Sequence, residues 1–145
     1  MNDLYDMLVK LQSMVVKMYA QSHGYHWNIE GSGFPQYHQK LLEIYEDIFD
    51  SIDDYSENMR RLGYKATFGI NAWNQNSGLE INESLDLDAR SMFQELINTN
   101  TVVLAAIKRT FDLASTLDEQ GLCNFLAERE NKHKFWQWQL AATLK

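Results

Sequence analysis

The chain has 145 residues, 45% hydrophobic and 12% aromatic, and 20 acidic against 13 basic side chains give it a formal charge of −7. That is enough chain for a single domain over 1–145 with its own core, and the acidic balance disfavours nucleic acid, whose binding depends on lysines and arginines that displace counterions. No apolar run approaches the roughly 18 residues of a membrane span, the start MNDLYDMLVK has two early acids instead of a basic signal head, and Cys123 has no second cysteine to pair with, so the expectation is a soluble, cytoplasmic protein with one buried structural thiol.

One proline and seven glycines leave little punctuation, which predicts a few long helices. The first spans Asn2 to Glu30, with Leu4, Met7, Leu8, Leu11, Met14, Val15, Met18, Tyr19 and Tyr25 along an apolar band and Gly31 placed to end it. Pro35 suits a first helical turn, where its missing N–H would have had no partner. The second helix then continues to Leu62, with Gly63 as its stop. Its stripe of Leu41, Tyr45, Ile48, Ile52, Tyr55, Met59 and Leu62 recurs with spacings of four and three, the seam a helix buries in its own bundle.

Residues 64–85 are rich in glycine and asparagine. An unstructured loop of that length is uncommon in a compact domain, so a short helix is expected near Ile70 to Asn74. Asp86 and Asp88 are candidate caps for a third long helix through Leu87, Met92, Phe93, Leu96, Ile97, Val103, Leu104, Ile107 and Phe111, ending near Ser115. Thr116 and Glu119 have capping-box spacing and predict the start of a fourth, carrying Leu122, Leu126, Trp136 and Leu140 almost to Lys145. The fold class is therefore all-α: a four-helix bundle of the ferritin-like kind, its second and third long helices joined by a crossover that holds a short helix.

The segment from His26 to Gly63 carries the chemistry. Histidine nitrogens with carboxylate oxygens suit iron, zinc or manganese. His38 and Asp53 are 15 residues apart on one predicted helix, hence roughly 22 Å apart along its axis at 1.5 Å per residue. They cannot hold one ion within a subunit. With His38 at zero on the helical wheel, Phe49, Asp53 and Glu57 fall within about 100° of it, on the other side from the core stripe. An ordinary solvated face would explain the carboxylates alone. With His26 and His38 at the matching end, a site between two-fold related subunits is favoured, the histidine end of one chain meeting the carboxylate end of its partner.

These residues resemble the Dps-type miniferritins, the DNA-binding proteins from starved cells. The resemblance lies in His26-Trp27-Asn28-Ile29-Glu30-Gly31, in Phe34, His38, Tyr45, Asp53, Glu57 and Arg60 to Gly63, and in the ending Asn131-Lys132-His133-Lys134-Phe135-Trp136. It implies a hollow dodecamer built from two-fold dimers, which binds Fe(II) at the dimer interfaces, oxidises it with hydrogen peroxide or dioxygen, and stores ferric iron inside. His26 and His38 of one subunit would face Asp53 and Glu57 of its partner as metal ligands and catalytic residues, with Trp27 beside the iron. Zinc or manganese would suit the same donors.

Two departures from the family pattern matter. Where the family usually has a carboxylate four residues after the second histidine, this chain has Leu42, which puts the ferroxidase activity in doubt; Glu46, one turn further on, is the nearest acid on that face. The alternative is a shell of Dps type whose oxidation is weakened or lost, kept as a structural or DNA-associated protein. The second departure is the lack of a lysine-rich arm, and twelve subunits at −7 would carry about −84 (12 × 7), which disfavours direct DNA binding. Iron uptake is expected to fall steeply below about pH 6, because histidines coordinate only when deprotonated.

Other motifs weigh less. Glu130 and His133 have the Glu-x-x-His spacing of di-iron sites inside one bundle, but such a site needs two such pairs and only one is present. His23 reads as a packing or surface histidine, and Arg129, Lys132 and Lys134 as a solvated basic face. Neither a nucleophile elbow nor a phosphate loop is found.

Overall fold

The computed structural model describes residues 2–145, and every regular element among them is helical. In chain order they are α1 (Asn2–Asn28), α2 (Phe34–Arg61), α3 (Ile70–Ser77), α4 (Ala89–Thr116) and α5 (Gln120–Thr143). The four long helices close around one core, in which Leu4, Leu8, Leu11, Met18, Leu41, Ile44, Ile48, Met59, Leu96, Ile107, Leu126 and Leu140 are wholly removed from solvent. Burial of that kind stabilises by about 1.5–3 kcal/mol per large side chain and makes the bundle stand.

Contacts at the helix ends fix the direction of each helix. The rings of Tyr5 and Tyr64 stack at 4.5 Å, placing the start of α1 beside the end of α2, so these two run antiparallel. Arg90 donates to the Leu144 carbonyl, making α4 and α5 antiparallel as well. The rings of Tyr37 and Phe93 meet at 5.1 Å, so α2 and α4 start at the same end. Parallel α2 and α4 require the long crossover that the sequence predicts. That crossover lies along α1, where Gln12, Lys17 and Tyr25 donate in turn to the carbonyls of Thr67, Leu79 and Asn82.

Element boundaries depart from expectation at several points. α1 ends at Asn28, before Glu30, and the chain turns through Gly31 at φ 111°, a conformation that only glycine adopts cheaply. Gly33 precedes α2, and a Cβ there would lie 2.3 Å from the Tyr37 ring. The short helix extends to Ser77 and stops at Gly78 in the left-handed region. Asp88, not Asp86, caps α4, its carboxylate accepting from the Ser91 N–H at 2.7 Å. The Thr116–Glu119 capping box does not form. Because α4 runs on through Thr116, that hydroxyl donates back to the Asp112 carbonyl, and the chain reverses through Asp118 at φ 56°.

The core stripe of α2 is rotated from the expected one. Ile44 is buried, whereas Tyr45, Ile52 and Leu62 are half-buried at its edges. Cys123 is also half-buried, its thiol 3.9 Å from the Phe111 carbonyl.

Candidate metal centre

The turn between α1 and α2 brings His26 and His38 face to face. Their rings stack at 3.7 Å with 14° between planes. Each Nδ1 lies 2.8 Å from the other residue's backbone carbonyl. A carbonyl can only accept, so both Nδ1 atoms carry the proton, and in the neutral ring the lone pair lies on Nε2. This is the tautomer a metal-ligating histidine needs, held by the backbone bond that usually supports one. His26 is buried and His38 half-buried.

Aromatic rings wall the pair. Phe34 stacks on His38 at 4.8 Å, and Tyr45 meets His26 edge-on at 5.2 Å. His23, one turn before His26, stacks on Tyr45 at 3.8 Å and shares a 3.0 Å hydrogen bond with the Tyr19 hydroxyl through Nδ1. It is a packing histidine, as expected. Desolvation, followed by repulsion from His26, lowers its pKa. Trp27, 66% exposed, lies against His23 at 4.4 Å. With Phe34 and Phe49, also exposed, Trp27 leaves a set of large apolar side chains open to solvent around a half-formed donor set.

Asp53 and Glu57 lie near the other end of α2 and are exposed, Glu57 pairing at 3.7 Å with Arg61. Among the described residues no three histidines, cysteines or acids converge within one chain. The structure therefore joins His26 to His38 and keeps both from Asp53 and Glu57.

The interior of the bundle holds a different polar cluster. Arg129 of α5 makes two hydrogen bonds to Asp47 of α2, at 2.9 and 3.0 Å. Trp136 Nε1 donates to the same carboxylate at 2.8 Å. His133 is fully buried, its Nδ1 2.7 Å from Asn100 Oδ1 and its Nε2 3.1 Å from an Arg129 nitrogen. The guanidinium can only donate, so Nε2 accepts and is closed to a metal. Glu130 pairs outward with Lys134 at 3.2 Å, and no di-iron pair forms from Glu130 and His133. The expected basic face is likewise corrected: Arg129 is a buried ion-pair partner, and the Lys132 ammonium sits over the rings of Phe135 and Trp136. Beside Arg129 the Tyr55 hydroxyl is buried without a hydrogen-bond partner, and burial pushes it up to about 12.

Sequence reasoning missed Asp47 and Asn100, the partners that draw Arg129 and His133 inward. Sequence periodicity alone could have marked Arg129, since it shares the inward face of α5 with Leu122, Leu126 and Trp136.

Comparison with known proteins follows the same lines. Residues 5–145 match the ferritin-like domain. A DNA protection during starvation protein of Helicobacter pylori is 22% identical over 117 residues, 81% of this chain and 79% of that protein. The crystal structure of the Dps protein of Vibrio cholerae O1, described as one of a broad superfamily of ferritin-like diiron-carboxylate proteins, is 25% identical; it superposes with a TM-score of 0.94 over 99% of this chain and 90% of that one. Antigen TpF1 of Treponema pallidum superposes with a TM-score of 0.96 at 22% identity, over 99% and 92% of the two chains.

Proposed function

The chain belongs to the ferritin-like family, with relatives of the Dps type, and from that premise we propose that it binds Fe(II) between subunits, oxidises it and stores the ferric product in a closed shell. The observation that carries this reading is the reciprocal His26–His38 pair, in which the backbone holds both Nδ1 atoms and leaves both Nε2 atoms without a hydrogen-bond partner among the described residues. Asp53 and Glu57 of a second copy complete the donor set. The whole chain acts as one ferritin-like unit, assembled as a cytoplasmic dodecamer of two-fold dimers. Among the described residues no helix is long and apolar enough to cross a membrane.

In this mechanism the imidazoles and carboxylates bind and orient iron as substrate. The oxidant is hydrogen peroxide or dioxygen; with peroxide, two ferrous ions and one peroxide, with two protons, give two ferric ions and two waters. The carboxylates stabilise the higher charge of the ferric product, and the rings of Trp27, Phe34 and Tyr45 limit access of bulk water. Spending peroxide this way removes both reactants of radical chemistry, which supports a protective role. Iron is the metal of this reading, and zinc or manganese would compete for the same nitrogens and oxygens.

One feature favours the second reading, a shell with weakened or lost oxidation: Leu42 on the His38 face. The deciding experiment adds Fe(II) anaerobically to the assembled protein, then peroxide, and follows ferric absorbance beside the His38→Ala variant. Fast oxidation that His38→Ala abolishes is the expected result. A rate equal to the iron-only control would favour the second reading. Native mass measurement of the assembly tests the dodecamer independently.

A further inference from the structure

We infer that the pocket between α1 and the end of the crossover binds a small primary amine with an apolar body, its ammonium donating to Gln21 Oε1. Gln21 is 3% exposed, and its Oε1 is buried without a hydrogen-bond partner. A buried acceptor left in that state costs free energy, and native proteins carry few of them. The neighbouring phenol fixes which atom of the amide is the orphan. Tyr25 has one hydroxyl proton, which goes to the Asn82 carbonyl at 2.7 Å, so towards Gln21 the phenol oxygen can only accept. Nε2 therefore takes the Tyr25 side, at 3.3 Å, and Oε1 is left over.

Gln21 and Tyr25 line a pocket of about 150 Å³ that reaches from α1 across the crossover to Met92 of α4. Ala20, Gly24, Ile81, Leu85 and Met92 supply its apolar wall. An apolar space of about that volume accepts a ring the size of benzene. The polar groups deeper in the wall are already engaged: Asn82 accepts from the Ser84 N–H through Oδ1 and reaches Glu95 through Nδ2, and the Ser84 hydroxyl oxygen accepts from the Asp86 N–H. A buried water settles where it finds about two to four polar partners. Among the described residues, Gln21 Oε1 is the one buried side-chain atom of this wall left unpartnered. A single donor on an apolar body matches that arrangement better than water does.

Charge selects among donors. Glu83 is exposed at the rim, and no lysine, arginine or histidine lines the pocket. A carboxylate or phosphate ligand would meet an acceptor and an acid, both of which repel it, whereas an ammonium gains from each. Gly24 keeps the space open, since a Cβ at that position meets nothing within 4 Å. An amine seated there touches α1, the crossover and α4 together, so occupancy stabilises the folded chain.

The test uses the assembled, metal-free protein with benzylamine as probe and benzoate as its anionic counterpart, both followed by calorimetry and by the thermal midpoint. The expected result is saturable binding of one benzylamine per subunit, a midpoint that rises with its concentration, and no binding of benzoate. Gly24→Leu, which fills the pocket from α1, abolishes the response. Gln21→Leu, close in size, weakens binding roughly tenfold, as loss of one hydrogen bond to a charged group should. A crystal of the unmodified protein soaked with benzylamine is expected to hold the ring against Ile81 and Met92 with its nitrogen on Gln21, and that result decides if either variant fails to assemble. The inference is overturned by no saturable binding, by an ordered water as the only occupant, by benzoate binding as well as benzylamine, or by benzylamine binding unchanged in Gly24→Leu.

Discussion

Arg129 reaches from α5 to Asp47 of α2 and grips its carboxylate through two nitrogens, at 2.9 and 3.0 Å, while a third contact from the same guanidinium closes His133 Nε2. The position from which a single bundle would ligate its own ion thus holds a protein cation. Removing one partner of a buried pair leaves the other charge uncompensated, at a cost of about 3–5 kcal/mol. Asp47→Leu is expected to destabilise by that amount, measured as the urea midpoint at fixed protein concentration. Asp47→Leu combined with Arg129→Met should regain most of the loss, because an apolar pair of similar volume has no charge to strand. A double variant no more stable than Asp47→Leu would contradict this account.

The same cluster sets a pH dependence whose sign can be worked out. Burial first, then the charge of Arg129, pushes His133 from 6.5 to about 3, with Asp47 acting the other way. Between those values the unfolded chain binds a proton that the folded chain refuses. Stability therefore falls as pH drops from about 6.5 towards 3, by at most about 1.4 kcal/mol per pH unit from this side chain. Burial raises the Asp47 carboxyl, but hydrogen bonds and charge from Arg129, with Trp136, outweigh it and hold the group below 3.8. Its contribution is complete above that value and is lost as pH falls through the lower, folded one. The expected result is a steeper loss of urea resistance from pH 6.5 to 4.5 in the native protein than in His133→Gln. Equal slopes would refute the assignment.

An assembly of twelve such chains would carry about −84 (12 × 7) before any metal is bound. Arg129 is buried in its ion pair, Lys134 is paired with Glu130, and Lys132 lies over two aromatic rings, so the last helix presents no free basic face. Counterion release, the main source of nonspecific affinity for duplex DNA, has little to draw on. In a mobility-shift assay at low salt, duplex DNA is expected to migrate unretarded by the metal-free assembly. A retarded band that sharpens as salt is lowered would show that the charge argument fails.

Helix positions and the joining of His26 to His38 were legible in the sequence, because hydrophobic periodicity and a glycine-bounded turn are local signals. The separation of His38 from Asp53 followed from helix rise alone. Less legible were contacts that depend on remote partners. Arg129 lies on the inward stripe of α5, but Asp47, the partner that lets a charge sit there, is 82 positions away. Tyr45 reads as core because its spacing fits the stripe, yet it lies at the edge, where the ring stacks on His23 instead. Thr116 and Glu119 have the letters of a capping box, but a local motif cannot show that the preceding helix runs on through Thr116.

Trp27 adjoins the proposed metal ligands, following His26 in sequence and lying 4.4 Å from His23. Trp73 donates to Gln12 and Trp136 to Asp47, so both indoles are engaged with partners other than the two histidines. Co(II) has an open d shell and quenches indole emission at short range, whereas Zn(II) has a filled one and accepts the same nitrogen and oxygen donors. Co(II) is therefore expected to quench the fraction of emission carried by Trp27, and Zn(II) to leave it nearly unchanged while competing for the site. Trp27→Phe should remove the Co(II) response without lowering the amount of Co(II) bound, since the indole is a neighbour of the ion and not a ligand. Quenching of equal size in Trp27→Phe would place the bound ion away from His26 and His38.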